Sequence, residues 1–399
     1  MNVATTVQTS PGLEAFVGRS AGQGTALSAM GIPTRRVEAW RYTPLRAFAD
    51  TVWAEAAALS DAQAQTVLAG LPLPEAGSRV VFANGRRVEA LSSLSDSIVS
   101  TAAAEAAADP LEDRFSAVLN AALVQDGLSV RIPAGTDAGM LALVSLTVGE
   151  NISTHLRHRI VLEEGASLTL FDVNAGEGRY VTNPRLDIVV GKGARLTHVK
   201  LQQDSLTAGH LAIVAASVDG NGNYDSFTLN NGSELARHEV VAKLTAAHAQ
   251  VHVNGIQIVD GSRLNDLTSM IHHAAPDCGS RQTVKTVLSE SGQGVFQGKI
   301  LVDRIAQKTD GYQMNQALLL SEKAQINSKP ELEIYADDVK CSHGATVGAL
   351  DDEQLFYLCS RGIPEAEARD ILVRAFLLDA LDLVTDETLR DLLQGSIRA

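Results

Sequence analysis

Cys341-Ser342-His343 is the place in this sequence where a thiol and an imidazole stand two residues apart. In an extended chain such residues share a face. If residues 332–343 form one strand, Cys341, His343 and Asp337 point the same way. The Cβ atoms of the Cys-His pair would then lie roughly 6–7 Å apart, too far for the direct hydrogen bond of an activated Cys-His nucleophile. The spacing suits two ligands on one metal or cluster, since thiolate is soft toward iron and sulfide and imidazole suits iron. It equally suits one thiolate and one imidazole facing a partner. A buried cysteine and a hydrogen-bonded histidine at a strand end would read the same way.

No other residues complete a metal site. The remaining candidates are Cys278, Cys359 and the pair His272-His273. Structural zinc sites use close Cys or His pairs, and iron–sulfur clusters are normally held by four thiolates. Further ligands would have to come from a second chain, so no cofactor is expected to bind stably to this chain alone. Cys359, among Leu355, Phe356 and Leu358, reads as helical core, and His272-His273 as a loop pair. The stretch 291–300 imitates a phosphate loop. The position five before Gly298 is Gln293, however, and Ile300 follows Lys299, where the motif requires Gly and then Ser or Thr.

Composition narrows the function further. The 399 residues carry 33 basic and 47 acidic side chains, net −14, which argues against a general nucleic-acid surface. No apolar run approaches the ~20 residues of a membrane helix. Residues 1–12 lack the basic and apolar segments of a signal peptide. Three cysteines make no disulfide framework and fit a reducing compartment, so a cytoplasmic location is expected. Aromatic residues at 4%, and adjacent Asp337 and Asp338 facing opposite ways on a strand, argue against a polysaccharide-cleaving enzyme.

Three regions position these residues. Residues 1–127 read as mainly helical, with alanines at 102–104 and 106–108 favouring helix. An Asn84-Gly85 hairpin signal interrupts them. Residues 128–348 contain short Val/Ile/Leu runs without a 3.6-residue period, which predicts strands. Gly165-Ala166-Ser167-Leu168-Thr169 returns 28 residues later as Gly193-Ala194-Arg195-Leu196-Thr197. Ala249-Gln250-Val251 and Ala324-Gln325-Ile326 extend the echo at offsets close to two and three further periods. A period in the twenties predicts a β-solenoid, although pattern alone leaves a β-sandwich open. Residues 349–399 read as helical. Asp351 with Gln354 resembles a capping box, and Gly362 a helix stop. A helix starting near Glu365 is apolar on nearly every side and must bury against this chain or a partner. From 351 onward there are 11 acidic and 5 basic residues and no Lys.

Several motifs in fixed order resemble the SufB/SufD family of iron–sulfur cluster assembly proteins. They are Trp40-Arg41-Tyr42-Thr43, Val295-Phe296-Gln297-Gly298-Lys299-Ile300, Ala306 to Gly311, Leu318-Leu319-Leu320-Ser321, residues 329–346 and residues 354–363. The chain lacks the N-terminal cysteines of the SufB branch, and Gly344-Ala345-Thr346 follows the Cys-Ser-His, a pattern similar to the SufD branch. The resemblance implies a right-handed parallel β-helix flanked by N-terminal and C-terminal helical regions. It implies a non-catalytic scaffold subunit that pairs with SufB. ATP hydrolysis would reside in the SufC ATPase, docked on the C-terminal helices around Glu365, Arg369, Leu372 and Phe376. His343, with Cys341, would then be a transient iron or cluster ligand at the SufB interface. Reduced flavin accompanies the assembled complex in this family. Two alternatives stand beside this reading: an inert structural partner, and self-association as a homodimer through exposed strands.

Overall fold

The computed structural model describes residues 9–20, 22, 24–101 and 111–397; the alanine-rich stretch 102–108, expected to be helical, lies outside them. From residue 137 to Lys340–Gly348 the chain winds into a β-solenoid of about eight coils. From Arg195–Gln203 onward each coil gives one strand to each of two parallel sheets, while the first coils carry an additional short strand, Ile152–Thr154 or Tyr180–Thr182. Register runs Ser167, Arg195, Asn223, Gln250, Gly279, Asp310, Lys340 down one sheet, a coil of 27 to 31 residues. Both faces of the strands are covered, which explains why they read as apolar runs without clean alternation.

The Gly-Ala echo has a backbone cause. Gly165 and Gly193 sit at the same corner of successive coils with φ of 68° and 65°. Asn221, His248, Asp277 and Lys308 hold the left-handed conformation at the next four corners, with φ between 57° and 64°. Glycine adopts this conformation freely, and Asn and Asp more readily than most residues. The later coils depart from glycine, so the repeat fades in sequence while the corner persists. The following residue is small and buried: Ala166, Ala194, Ala249, Cys278 and Thr309. Cys278 therefore fills a packing position, its thiol donating to the Ala246 carbonyl at 3.3 Å. The 55-residue step from Ala194 to Ala249 is two coils. The 75-residue step to Ala324 is not three: Gln325 pairs with Gln293 in the other sheet.

The N-terminal region covers one sheet. Asn84-Gly85 closes an antiparallel hairpin between Ser78–Ala83 and Arg86–Arg87. The first of these strands also extends the second sheet, pairing in parallel with Asp137–Val148. Phe16, Leu27, Trp40, Phe48, Trp53, Phe115 and Leu119 pack together on the first sheet. Beneath them lies a buried ionic network. Arg237 contacts Asp266 and Glu239, and its guanidinium carbon stands 4.2 Å from the centroid of the Trp40 ring. Thr43 donates to Asp266, and Ser116 donates to Glu239 at 2.7 Å. Burial alone would push the Glu239 carboxyl up; the Arg237 charge overrides this and holds it below the usual range. The Trp40 to Thr43 motif is thus a clasp on the solenoid.

The second sheet is covered from outside by Asp61–Ala69, Glu365–Leu381 and Glu387–Ser396, packing on Phe171, Val199, Phe227, Leu229 and Ile256. Inside, the solenoid is apolar along one side and polar along the other. Lys200 donates to Asp172 at 2.9 Å, His198 Nδ1 meets the Tyr224 hydroxyl at 3.0 Å, and His210 lies 2.9 Å from Asp204. Burial pushes His155 down to about 3, His158 and His273 down to about 4, and His238 well below its ordinary value.

Candidate functional site

Lys340–Gly348 is the final strand of one sheet and Gln325–Ile334 the final strand of the other. No further coil covers them, so their outer edges are open and none of their side chains is fully buried. Register pairs Cys341 with Gly311 and His343 with Gln313, placing both on the inward-facing columns. Cys341 is half-buried against Ile300, Val302 and Ala306. His343 is exposed.

The two side chains differ chemically. Burial pushes the Cys341 thiol up, a backbone hydrogen bond at Gly311 opposes this, and the Asp310 charge adds to the rise. Cys341 therefore stands as a thiol, and becomes a thiolate ligand when a metal or positive charge displaces the proton. The His343 imidazole, by contrast, is exposed at the open end.

Asp337 does not join them. The chain leaves one sheet after Ile334 and enters the other at Lys340, so Asp337 and Asp338 lie on an exposed corner. The expectation of one continuous strand over 332–343 fails because the solenoid must turn there. His272 and His273 also differ from expectation: they end the strand Leu264–His273 rather than sit in a loop. Their rings face opposite ways, His272 toward Asp303 and His273 toward Ser280. Among the described residues no group of three or more His, Cys, Asp or Glu side chains could hold a metal ion. The imitation phosphate loop is a turn followed by the strand Gln293–Val302, with Lys299 paired to Glu333.

The C-terminal candidates separate. Asp351 caps Asp352–Ser360 by accepting from the amides of Glu353 and Gln354, and Gly362, at φ 90°, follows its end. This helix buries none of its residues, so Cys359, expected in a core, is only partly covered. Phe356 is 75% exposed and Tyr357 56%. In the next helix Ala368 is buried, and Val373, Leu377, Ala380 and Leu381 pack on the solenoid. Phe376 packs partly there too, with Lys285 Nζ 4.7 Å from its ring centroid. Glu365 and Arg369 are exposed and paired to each other at 2.9 Å, and Leu372 is partly covered. The exposed Phe356-Tyr357 face is not legible in the sequence, because its apolar residues read as core.

A family model described as "SUF system FeS cluster assembly, SufBD core domain" matches residues 145–376, which spans the solenoid, its open end and the start of the C-terminal helices. The chain is 34% identical to the iron–sulfur cluster assembly protein SufD of Escherichia coli strain K12, over 90% of this chain and 87% of that protein. It is 31% identical to a SufBD family protein of Synechocystis, over 96% and 90%. It is also 33% identical to the chloroplastic protein ABCI7 of Arabidopsis thaliana, over 60% and 51%. With the core domain matched across the whole open end that carries Cys341 and His343, the chain belongs to the SufBD family of iron–sulfur cluster assembly proteins.

Proposed function

We propose that this chain is a non-catalytic cytoplasmic scaffold subunit that pairs through the open end of its solenoid with a SufB subunit and couples to a SufC ATPase through its C-terminal helices. The observation that carries the reading is the uncovered last coil with Cys341 and His343 on its inward columns. A partner solenoid meeting that end would face both side chains and supply the ligands this chain lacks. His343 is the first contact for iron or a nascent cluster, which passes through as cargo. Cys341 joins once its proton is displaced. Any reduced flavin would belong to the assembled complex.

Co-purification with SufB and SufC partners, followed by anaerobic reconstitution with iron and sulfide, tests this. The complex is expected to form with wild type and with His343→Ala, and the variant's cluster formation to fall at least about tenfold, as for loss of a metal contact. Unchanged cluster formation would reduce Cys341 and His343 to an inert strand end, the reading that the raised Cys341 thiol favours.

For the ATPase, the exposed Phe356 and Tyr357 extend the docking region around Glu365, Arg369, Leu372 and Phe376. An aromatic anchor is worth about 2 kcal/mol or more at an interface. Phe356→Asp is therefore expected to weaken SufC binding about 30-fold in a titration while leaving the denaturation midpoint of the chain unchanged. Undiminished binding would move the dock elsewhere.

A further inference from the structure

The rungs just inside His343 carry hydrogen-bonding capacity that nothing meets. Gln313 lies one coil inward on the same column, and Gln282 one coil beyond it. Asn315 lies on the neighbouring inward column, opposite Ala345. Gln313 and Asn315 are fully buried, and neither the oxygen nor the nitrogen of either amide has a partner. Gln282 is half satisfied: its oxygen accepts from Ser269 while its nitrogen has no partner. Buried polar groups are normally paired, and leaving them unpaired is costly. Deeper rungs of the two columns include aliphatic residues, Val284 and Val253, and polar ones that are paired, such as His198 with Tyr224 and Lys200 with Asp172.

The opposite sheet makes room for the Gln313 amide. A Cβ on Gly298 would meet Gln313 Oε1 at 2.6 Å, so the glycine of the Gly298-Lys299 pair lets the carboxamide reach across the interior. Toward the open end, the next side chain on the column is the imidazole of His343. A histidine that meets a metal through one ring nitrogen generally needs a fixed hydrogen bond at the other, which sets the tautomer and the ring's orientation.

We propose that Gln313 is a positioning residue for His343. The amide makes no bond to His343 in the structure; rotation of the Gln313 side chain brings its oxygen to accept the N–H of one ring nitrogen and leaves the other nitrogen's lone pair facing the partner. This rests on the reading of His343 as the contact for iron or cluster.

Gln313→Leu tests it, because the substitution removes the unmet amide while keeping bulk. In the isolated full-length chain with ¹⁵N-labelled histidine, His343 is assigned by its loss in His343→Gln. Wild type is expected to show the nitrogen shifts of one tautomer, and Gln313→Leu shifts averaged between two, with stability held or raised. Identical His343 shifts in the two proteins would overturn the proposal. In the assembled complex, Gln313→Leu is expected to slow cluster formation about 10- to 100-fold, and to add nothing when His343 is already Ala. A further loss in the His343→Ala background would also overturn it, since the amide would then be serving the partner directly. If His343→Ala alone leaves cluster formation at the wild-type rate, the reading of the site fails, while the nitrogen shifts still decide the positioning.

Discussion

Arg237→Met is expected to destabilise the chain by about 3–5 kcal/mol, the scale for removing one partner of a buried charge network. The side chains of Arg237 and Asp266 are wholly buried and that of Glu239 nearly so. Arg114, which also reaches Glu239 at 3.3 Å, is partly exposed, and its other ion pair is with Asp113 at 3.9 Å rather than with Asp266. Without Arg237, Asp266 retains only hydroxyl donors from Thr43 and Thr268, which cannot balance a carboxylate's charge. The Trp40 ring also loses the cation stacked on it. Chemical denaturation should show the full loss. The triple replacement Arg237→Met, Glu239→Leu and Asp266→Leu should recover most of it, because apolar groups of similar volume often substitute for a buried ionic cluster without net cost. A single variant within about 1 kcal/mol of wild type would show that the clasp rests on the Trp40, Phe48 and Phe115 packing instead.

The second large effect is acid sensitivity beginning well above the carboxylate range. His155, His158 and His273 are buried with pKa values near 3, 4 and 4, all through loss of hydration. In the unfolded chain each takes up a proton near pH 6.5, so below that pH the unfolded state binds more protons and stability falls as pH falls. Each histidine withdraws about 1.4 kcal/mol per pH unit from pH 6.5 down to its folded value, or about 2 kcal/mol by pH 5. His238 is lowered in the same direction and adds to the slope. Asp172 and Asp204 are also held low, despite burial, by Lys200 and His210. Their contribution is lost only as pH falls below about 4. Denaturation free energy should be flat from pH 8 to 7 and drop by several kcal/mol between pH 6.5 and 5.5, above the calculated isoelectric point near 5.2. A flat profile down to pH 5.5 would mean that these rings are protonated in the folded state.

Much of this was legible in the sequence, and the failures share a cause. The coil length showed through Gly165 and Gly193 because glycine marks the left-handed corner. Later corners carry Asn, His, Asp and Lys, so the repeat could not be followed by residue type. Cys341 and His343 were legible because a two-residue spacing on a strand fixes a shared face. Asp337 was misplaced because nothing in residues 335–339 announces the corner as a Gly or Pro would. Arg237, Asp266, Gln313 and Asn315 were passed over because a charged or amide residue in a strand ordinarily faces water. A two-sheet solenoid with both faces covered reverses that expectation. Phe356 and Cys359 were assigned to a core for the complementary reason: apolar residues in a helix usually have something to pack on, and here they do not.

The uncovered end also has a dynamic meaning. In a solenoid each coil is held chiefly by its neighbours, and the coil ending at Lys340–Gly348 has a neighbour on one side only. It is the coil most able to open locally while the remainder stays folded. Cys341 and His343 therefore sit on a solenoid coil that is supported from one side. If a partner stacks on this end as proposed, it turns a terminal coil into an interior one, so joining the partner and fixing Cys341 and His343 would become one event.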